Sequence, residues 1–291
     1  MIANASTIGA LLDRYLLQVI PEKGINTQRQ NKVAIKPVRA VFCDMPLLDL
    51  KPRHVYQYVE KRGGRPGAHR EVEILSHAFT KAVEWGYIDR HPFKGEIRLA
   101  GEKPRTRYIE DWEIVECLSI VPRRKLGSVL AIQAYIRLKL LTGTRLGDML
   151  RITMSGLKED GIHITPGKTE HTTGKRIIIS WSDDVRAAVE MAKAARPMKF
   201  SSFLFCNRMG EGYFDEETGR AGGWESMWRG FFERVMTETK VTEKFTEHDL
   251  RAKCASDAMT LEHAQALLTH ADSKITKRVY RRKPEIVKPL S

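Results

Sequence analysis

Apolar residues recur at helical spacing along most of this 291-residue chain and take on a strand-like pattern in one place only. That imbalance restricts the fold to a mainly α architecture carrying a small β-sheet. Ile8, Leu11, Leu12, Tyr15, Leu16 and Val19 mark a first helix that starts at Ser6 or Thr7 and is stopped by Pro21. A second is expected over 27–42, where Pro37 must kink or split it. Pro52 opens a third, with Val55, Tyr56 and Val59. Residues 63–67 read as a turn. A longer helix over 68–85 turns Val72, Leu75, Phe79, Ala82 and Val83 inward, and Gly86 ends it. These segments form a helical domain over 1–98. A stretch without periodicity, 99–107, carries Lys103, Arg105 and Arg107 and reads as a basic linker.

The second domain, 108–291, mixes the two patterns. Helices are expected over 109–120 and 126–141, and Gly143 breaks the second. The strand signal follows, at 162–169 and 175–180, with His171-Thr172-Thr173-Gly174 as a hairpin turn. Ser182 caps a helix over 183–196. Glycine and charge make 207–223 a loop. Trp224, Trp228, Phe231, Phe232 and Val235 form a helical stripe of core type.

Charge narrows the class of partner. Forty-nine Lys and Arg against 36 Asp and Glu leave a formal net charge of +13, which favours a polyanion, most simply nucleic acid. In the first domain Arg29, Lys32, Lys36 and Arg39 make a cationic stripe, and Arg65 and Arg70 add to it, so this half is expected to face DNA phosphates. Cys43, Cys117, Cys206 and Cys254 form no C-x-x-C pair, which fits reduced thiols in the cytoplasm better than a zinc ribbon or a disulfide framework. No apolar run approaches the ~18 residues of a membrane span, and residues 1–10 lack the features of a signal peptide.

The chemistry-bearing residues lie in the second domain. In Thr142-Gly143-Thr144-Arg145, Thr144 is placed to cap a helix. Arg145 then falls in its first turn and Asp148 on the same face. Lys168 stands near the hairpin tip, where a lysine ordinarily faces solvent. His248 and Arg251, three residues apart, share one face of a helix start. His270 ends an apolar run, and Tyr280 sits among Lys277, Arg278, Arg281 and Arg282. Singly, each has an ordinary structural reading. Together they suggest chemistry on a phosphodiester, with a tyrosine oxygen to attack phosphorus and cations to hold the charge.

Arg145, Lys168, His248, Arg251, His270 and Tyr280, in this order and within TGTRLGDML, PGKT, HDLR, LLTH and VYRR, resemble the tyrosine recombinase (phage integrase) family. The resemblance spans roughly 105–282 and extends to the first half as a helical core-binding domain by layout and basic character. Three positions depart from the usual pattern. Thr269 stands where glycine is common, Asp148 where glutamate is common, and the interval from His270 to Tyr280 is one residue longer than usual. The resemblance implies a site-specific DNA recombinase without cofactor or metal. Tyr280 forms a 3′-phosphotyrosine, Arg145 and Arg251 bind the phosphate, Lys168 protonates the leaving oxygen, His248 acts as acid/base, and His270 donates to the phosphate. It also implies duplex attachment sites as partners, a homotetramer on synapsed DNA, and an accessory bending or directionality factor. The tail 281–291, with Ile286, Val287 and Leu290, is expected to contact a neighbouring protomer. Two other readings remain open at this point: a type IB-like topoisomerase and an inactive DNA-binding module.

Overall fold

The computed structural model describes residues 6–63, 65–101, 103–123, 127–165, 167, 176–269 and 272–283, with the side chain of Arg65 left out. Lys168, the hairpin turn, His270 and the tail from 284 lie outside the described residues. The chain divides into two compact units, 1–103 with 217–219, and the remainder.

The first unit is built on α1 (Ile8–Gln18), α2 (Ile25–Phe42), α3 (Pro52–Arg62) and α4 (Arg65–Glu84). Thr7 caps α1, its hydroxyl accepting from the Ala10 N–H at 3.3 Å. The apolar stripes of the sequence meet in one core. Leu11, Leu12, Tyr15, Ile35, Val38, Phe42, Val55, Leu75 and Phe79 are all buried there. Two expectations change. Helix α2 runs unbroken through Pro37. The carbonyl that Pro37 leaves without its intrahelical donor is that of Val33, an exposed residue. Helix α4 begins at Arg65, so Pro66 and Gly67 belong to its first turn, where a proline's missing N–H loses nothing. The turn before it is sharpened by Gly63 at φ 70°.

The second unit packs around α6 (Ser128–Thr142). Ile132, Ala134, Tyr135, Ile136 and Leu138 bury several faces of this helix, so it sits inside rather than on the rim. Helices α8 (Asp183–Ala194), α9 (Gly222–Glu238) and α10 (Glu247–Asp257) pack against it, and α5 (Asp111–Ser119) adds Ile114 and Cys117 to the same core. The tryptophan stripe is core as expected, with Trp224, Phe231, Phe232 and Val235 buried.

The strand signal becomes an antiparallel sheet, among the described residues three strands in the order β1 (Leu157–Lys158), β2 (Gly161–Ile164), β3 (Ile177–Ser180). The register pairs Ile162 with Ile179 and Ile164 with Ile177, which turns Ile162 and Ile164 into the core. Strand β1 is too short for an alternation to show in sequence. Helices α7 (Leu146–Leu150) and α11 (Leu261–Leu268) and a π-helical turn, Thr276–Tyr280, carry the remaining site residues. Among the described residues no helix is long and apolar enough to cross a membrane.

Candidate active site

The site is assembled by a buried arginine. Arg251 lies on α10, whose start is fixed by a capping box. Thr246 Oγ1 accepts from the Asp249 N–H, and Asp249 Oδ2 accepts from the Thr246 N–H. At 3% exposure the guanidinium cannot be solvated and must find acceptors within the protein. It donates through Nη1 to the Gly143 carbonyl and through Nη2 to the Leu268 carbonyl at 2.6 Å. Those carbonyls end α6 and α11, so one side chain joins the two chain reversals that bear Arg145 and Thr269. Gly143 is at φ 59°, and a Cβ there would lie 3.1 Å from Leu268 Cδ2 and 3.2 Å from Cys254 Sγ. Both the conformation and the close approach select glycine.

Arg145 corrects an expectation. It is itself the N-cap residue of α7, extended at φ −65° and ψ 153°, and Thr144 lies before the cap. The Thr144 hydroxyl instead bonds the Thr142 hydroxyl at 2.9 Å. Arg145 Nη1 donates to Thr269 Oγ1 at 3.2 Å and stands 3.9 Å from Asp148 Oδ2. Asp148, buried, also accepts from the Gly167 N–H at 3.0 Å. A single carboxylate therefore faces Arg145 and holds the backbone just before Lys168.

Tyr280 ends the π-helical turn and is 9% exposed. Its ring centroid lies 5.1 Å from that of His248, and the Arg251 guanidinium carbon lies 5.6 Å from it. The Tyr280 hydroxyl is a hydrogen-bond partner of Arg251. Its backbone is held as well. Ser256 Oγ donates to the Tyr280 carbonyl at 2.8 Å and accepts from the Arg282 N–H at 2.7 Å. Arg282, almost fully buried, donates to Asp249 Oδ1 at 2.6 Å, to the Arg107 carbonyl at 3.0 Å and to the Val279 carbonyl at 3.0 Å. Burial pushes the Asp249 carboxyl up, but donors from Thr246 and Arg282 outweigh it and hold the group below its usual range.

His248 is exposed on one side, yet the protein around its ring disfavours the charged form. With Arg282 and Arg251 nearby, its pKa falls below the usual 6.5. A neutral imidazole beside a tyrosine hydroxyl is suited to accept its proton. Beneath the site lies a buried polar group. Tyr135 donates to Glu247 at 2.5 Å, and Lys139 donates to Tyr135 at 3.1 Å. Burial presses Lys139 down to about 7 and pushes Glu247 up. Among the described residues no cluster of His, Cys, Asp and Glu is placed to hold a metal ion.

Arg145, Asp148, His248, Arg251 and Tyr280 are thus brought together, while Lys168 and His270 lie outside the described residues. Of the cationic candidates in the first unit, Lys32, Lys36 and Arg70 are exposed, and Arg29 bonds Asn26 at 2.7 Å. Arg39 forms a two-pronged pair with Asp13. Local sequence reasoning did not find the Asp249–Arg282 pair, Ser256, or the part taken by Thr269. The Asp of HDLR and the Arg of VYRR were in view, but nothing in their spacing of 33 residues marks them as partners.

Residues 114–285 match the phage integrase family. The integrase of Escherichia phage HK022 is 27% identical over 177 residues, covering 57% of this chain and 46% of that protein. The integrase of Enterobacteria phage 434 is 26% identical over 172 residues, again 57% and 46%. The chain spans about half the length of these curated relatives. Its fold is similar to that of lambda integrase solved as a dimer bound to a COC′ core site, with TM-score 0.74, 19% identity, and 98% of this chain and 81% of that one covered. It is also similar to lambda integrase solved as a tetramer bound to a Holliday junction, with TM-score 0.74, 20% identity, and 99% and 81% covered. The Tn1549 transposon integrase in complex with circular intermediate DNA gives TM-score 0.69 at 15% identity, with 94% of each chain covered. A match running over more than half of the chain, and containing every member of the expected site, makes this protein a member of the phage integrase family.

Proposed function

We propose that the chain is a site-specific DNA recombinase that cuts and rejoins duplex DNA through a 3′-phosphotyrosine intermediate. The observation that carries this reading is the convergence on Tyr280 of a neutral-leaning imidazole and a buried guanidinium from one helix, with a second guanidinium across the site. In the reaction the Tyr280 Oη–P bond forms as the P–O5′ bond breaks. His248 takes the phenolic proton, and Lys168 supplies one to the departing 5′-oxygen. Arg145 and Arg251 bind the non-bridging oxygens, whose charge grows in the transition state, and His270 adds a donor. Bond energy is retained in the phosphotyrosine, so attack by a partner strand's 5′-hydroxyl reverses the step without a cofactor.

By the likeness to a tetramer on a Holliday junction, strand exchange uses four copies on two duplexes. The exposed Lys32, Lys36 and Arg70 of the helical unit contact phosphates and set register rather than sequence. The protein works on cytoplasmic DNA. Trapping on a library of nicked duplexes tests the reading. The unmutated chain should leave a covalent band that survives denaturant, and Tyr280→Phe should bind DNA equally but leave none. Binding without any such band from the unmutated chain would make it a DNA-binding module instead.

A further inference from the structure

Thr269 ends α11 with φ 53° and ψ 39°, and among the described residues it is the only non-glycine residue with positive φ. A β-branched side chain crowds its own backbone there, whereas glycine occupies this position of a helix end without strain. The backbone bonds of the turn do not require threonine. The Thr269 N–H donates to the Ala266 carbonyl at 3.0 Å, and the Leu268 carbonyl is fixed by Arg251, and glycine could do the same. What glycine lacks is the hydroxyl, and that hydroxyl accepts from Arg145 Nη1 at 3.2 Å. The Asp148 carboxylate stands at 3.9 Å from the fork, beyond hydrogen-bond length. Arg145 and Thr269 line one cavity of about 230 Å³ together with Thr142, Thr144, Asp148 and Arg251. The Arg145 side chain remains 26% exposed, so its guanidinium can still be reached from outside the protein.

We propose that Thr269 is a positioning residue, whose hydroxyl orients the Arg145 guanidinium toward the phosphate at the expense of a strained helix end. The inference rests on the recombinase reading and concerns how Arg145 is aimed within it. It makes stability and activity move in opposite directions. Thr269→Gly relieves the backbone and removes the acceptor. Thr269→Val keeps the branched shape and removes the acceptor. Thr269→Ser keeps the acceptor.

The experiment uses the full chain and measures three quantities for each variant: the first-order rate of adduct formation on a saturating nicked duplex, the affinity for that duplex, and the thermal midpoint. Thr269→Ser should cleave within about twofold of the unmutated chain. Thr269→Gly and Thr269→Val should cleave roughly ten- to a hundredfold more slowly with DNA affinity little changed, the scale expected when an aligned charged donor loses its orienting bond. Thr269→Gly should nonetheless melt at a higher temperature than the unmutated chain, which a folding defect cannot produce. In an Arg145→Lys background, where the fork is gone, Thr269→Ser and Thr269→Val should cleave alike. Equal cleavage by all three single variants, or a Ser–Val difference that persists in the Lys background, overturns the inference while the recombinase reading stands. If the unmutated chain forms no adduct, that reading falls and the inference with it.

Discussion

The pair formed by Arg282 and Asp249 makes a severe test of how Tyr280 is held. Their side chains are 4% and 0% exposed, so solvent screens the pair very little. Arg282→Met preserves most of the packing volume but removes the donors to Asp249 and to the carbonyls of Arg107 and Val279. Removing one partner of a buried pair costs about 3–5 kcal/mol. Asp249 keeps Arg105 at 3.0 Å and its two bonds from Thr246, so the lower end, about 3 kcal/mol, applies. Because Arg282 is two residues from Tyr280, that loss acts mainly on docking of the 276–282 segment. Three kcal/mol is about a factor of 10² in a population, which bounds the fall in cleavage rate once the segment opens. DNA affinity should stay near normal, since the buried Arg282 presents almost nothing to a duplex. Single-turnover cleavage and a thermal melt, run side by side, make the measurement. An unchanged rate together with an unchanged midpoint would refute the idea that this pair fixes Tyr280.

Three further outcomes are expected. His248, with its pKa lowered, stays neutral in the folded chain at pH values where the unfolded chain already takes up a proton. Its contribution to stability is therefore present above about 6.5 and lost as pH falls below, and cleavage should show an acid limb beneath 6.5 that disappears in His248→Gln. Lys139 binds its proton up to about 7 when folded but to 10.5 when unfolded, so stability should rise with pH across that window. Lys139→Met should flatten the rise and raise the midpoint at pH 7. Lys168→Ala should cleave ordinary DNA ~10²–10⁴-fold more slowly, as for loss of a general acid, yet cleave a 5′-bridging phosphorothiolate almost as fast as the unmutated chain, because a thiolate leaves without protonation. Equal rescue of Arg145→Ala by sulfur would remove that role from Lys168.

The helices were legible because their signals are local. Thr7, Pro52 and Ser182 mark starts, and Gly86 and Gly143 mark ends, each through its own backbone or side chain. Pro37 does not split α2, and whether a proline does so depends on how the carbonyl one turn back is satisfied, which is a property of the folded surface. Arg145 stands one position earlier than expected, at the cap rather than in the first turn, and its side chain bonds Thr269, distant in sequence. Asp249 with Arg282, and Arg145 with Thr269, are pairings across the fold that no periodicity encodes. Thr269 was visible as a departure from glycine, but only its dihedral angles and its bond to Arg145 give the departure a physical meaning. The cationic stripe of α2 shows the converse. Asp13, from the neighbouring helix, forms a two-pronged pair with Arg39 that the spacing of the stripe does not announce.

The central claim is that Tyr280 itself becomes joined to DNA. The most direct measurement is proteolysis of the trapped adduct, trimming of the DNA, and mass spectrometry of the nucleotide-bearing peptide. The account predicts a single modified residue, Tyr280, linked to a 3′-phosphate with a free 5′-hydroxyl released from the other fragment. A nucleotide on another tyrosine, such as Tyr135 or Tyr213, or a link to a 5′-phosphate, would contradict it.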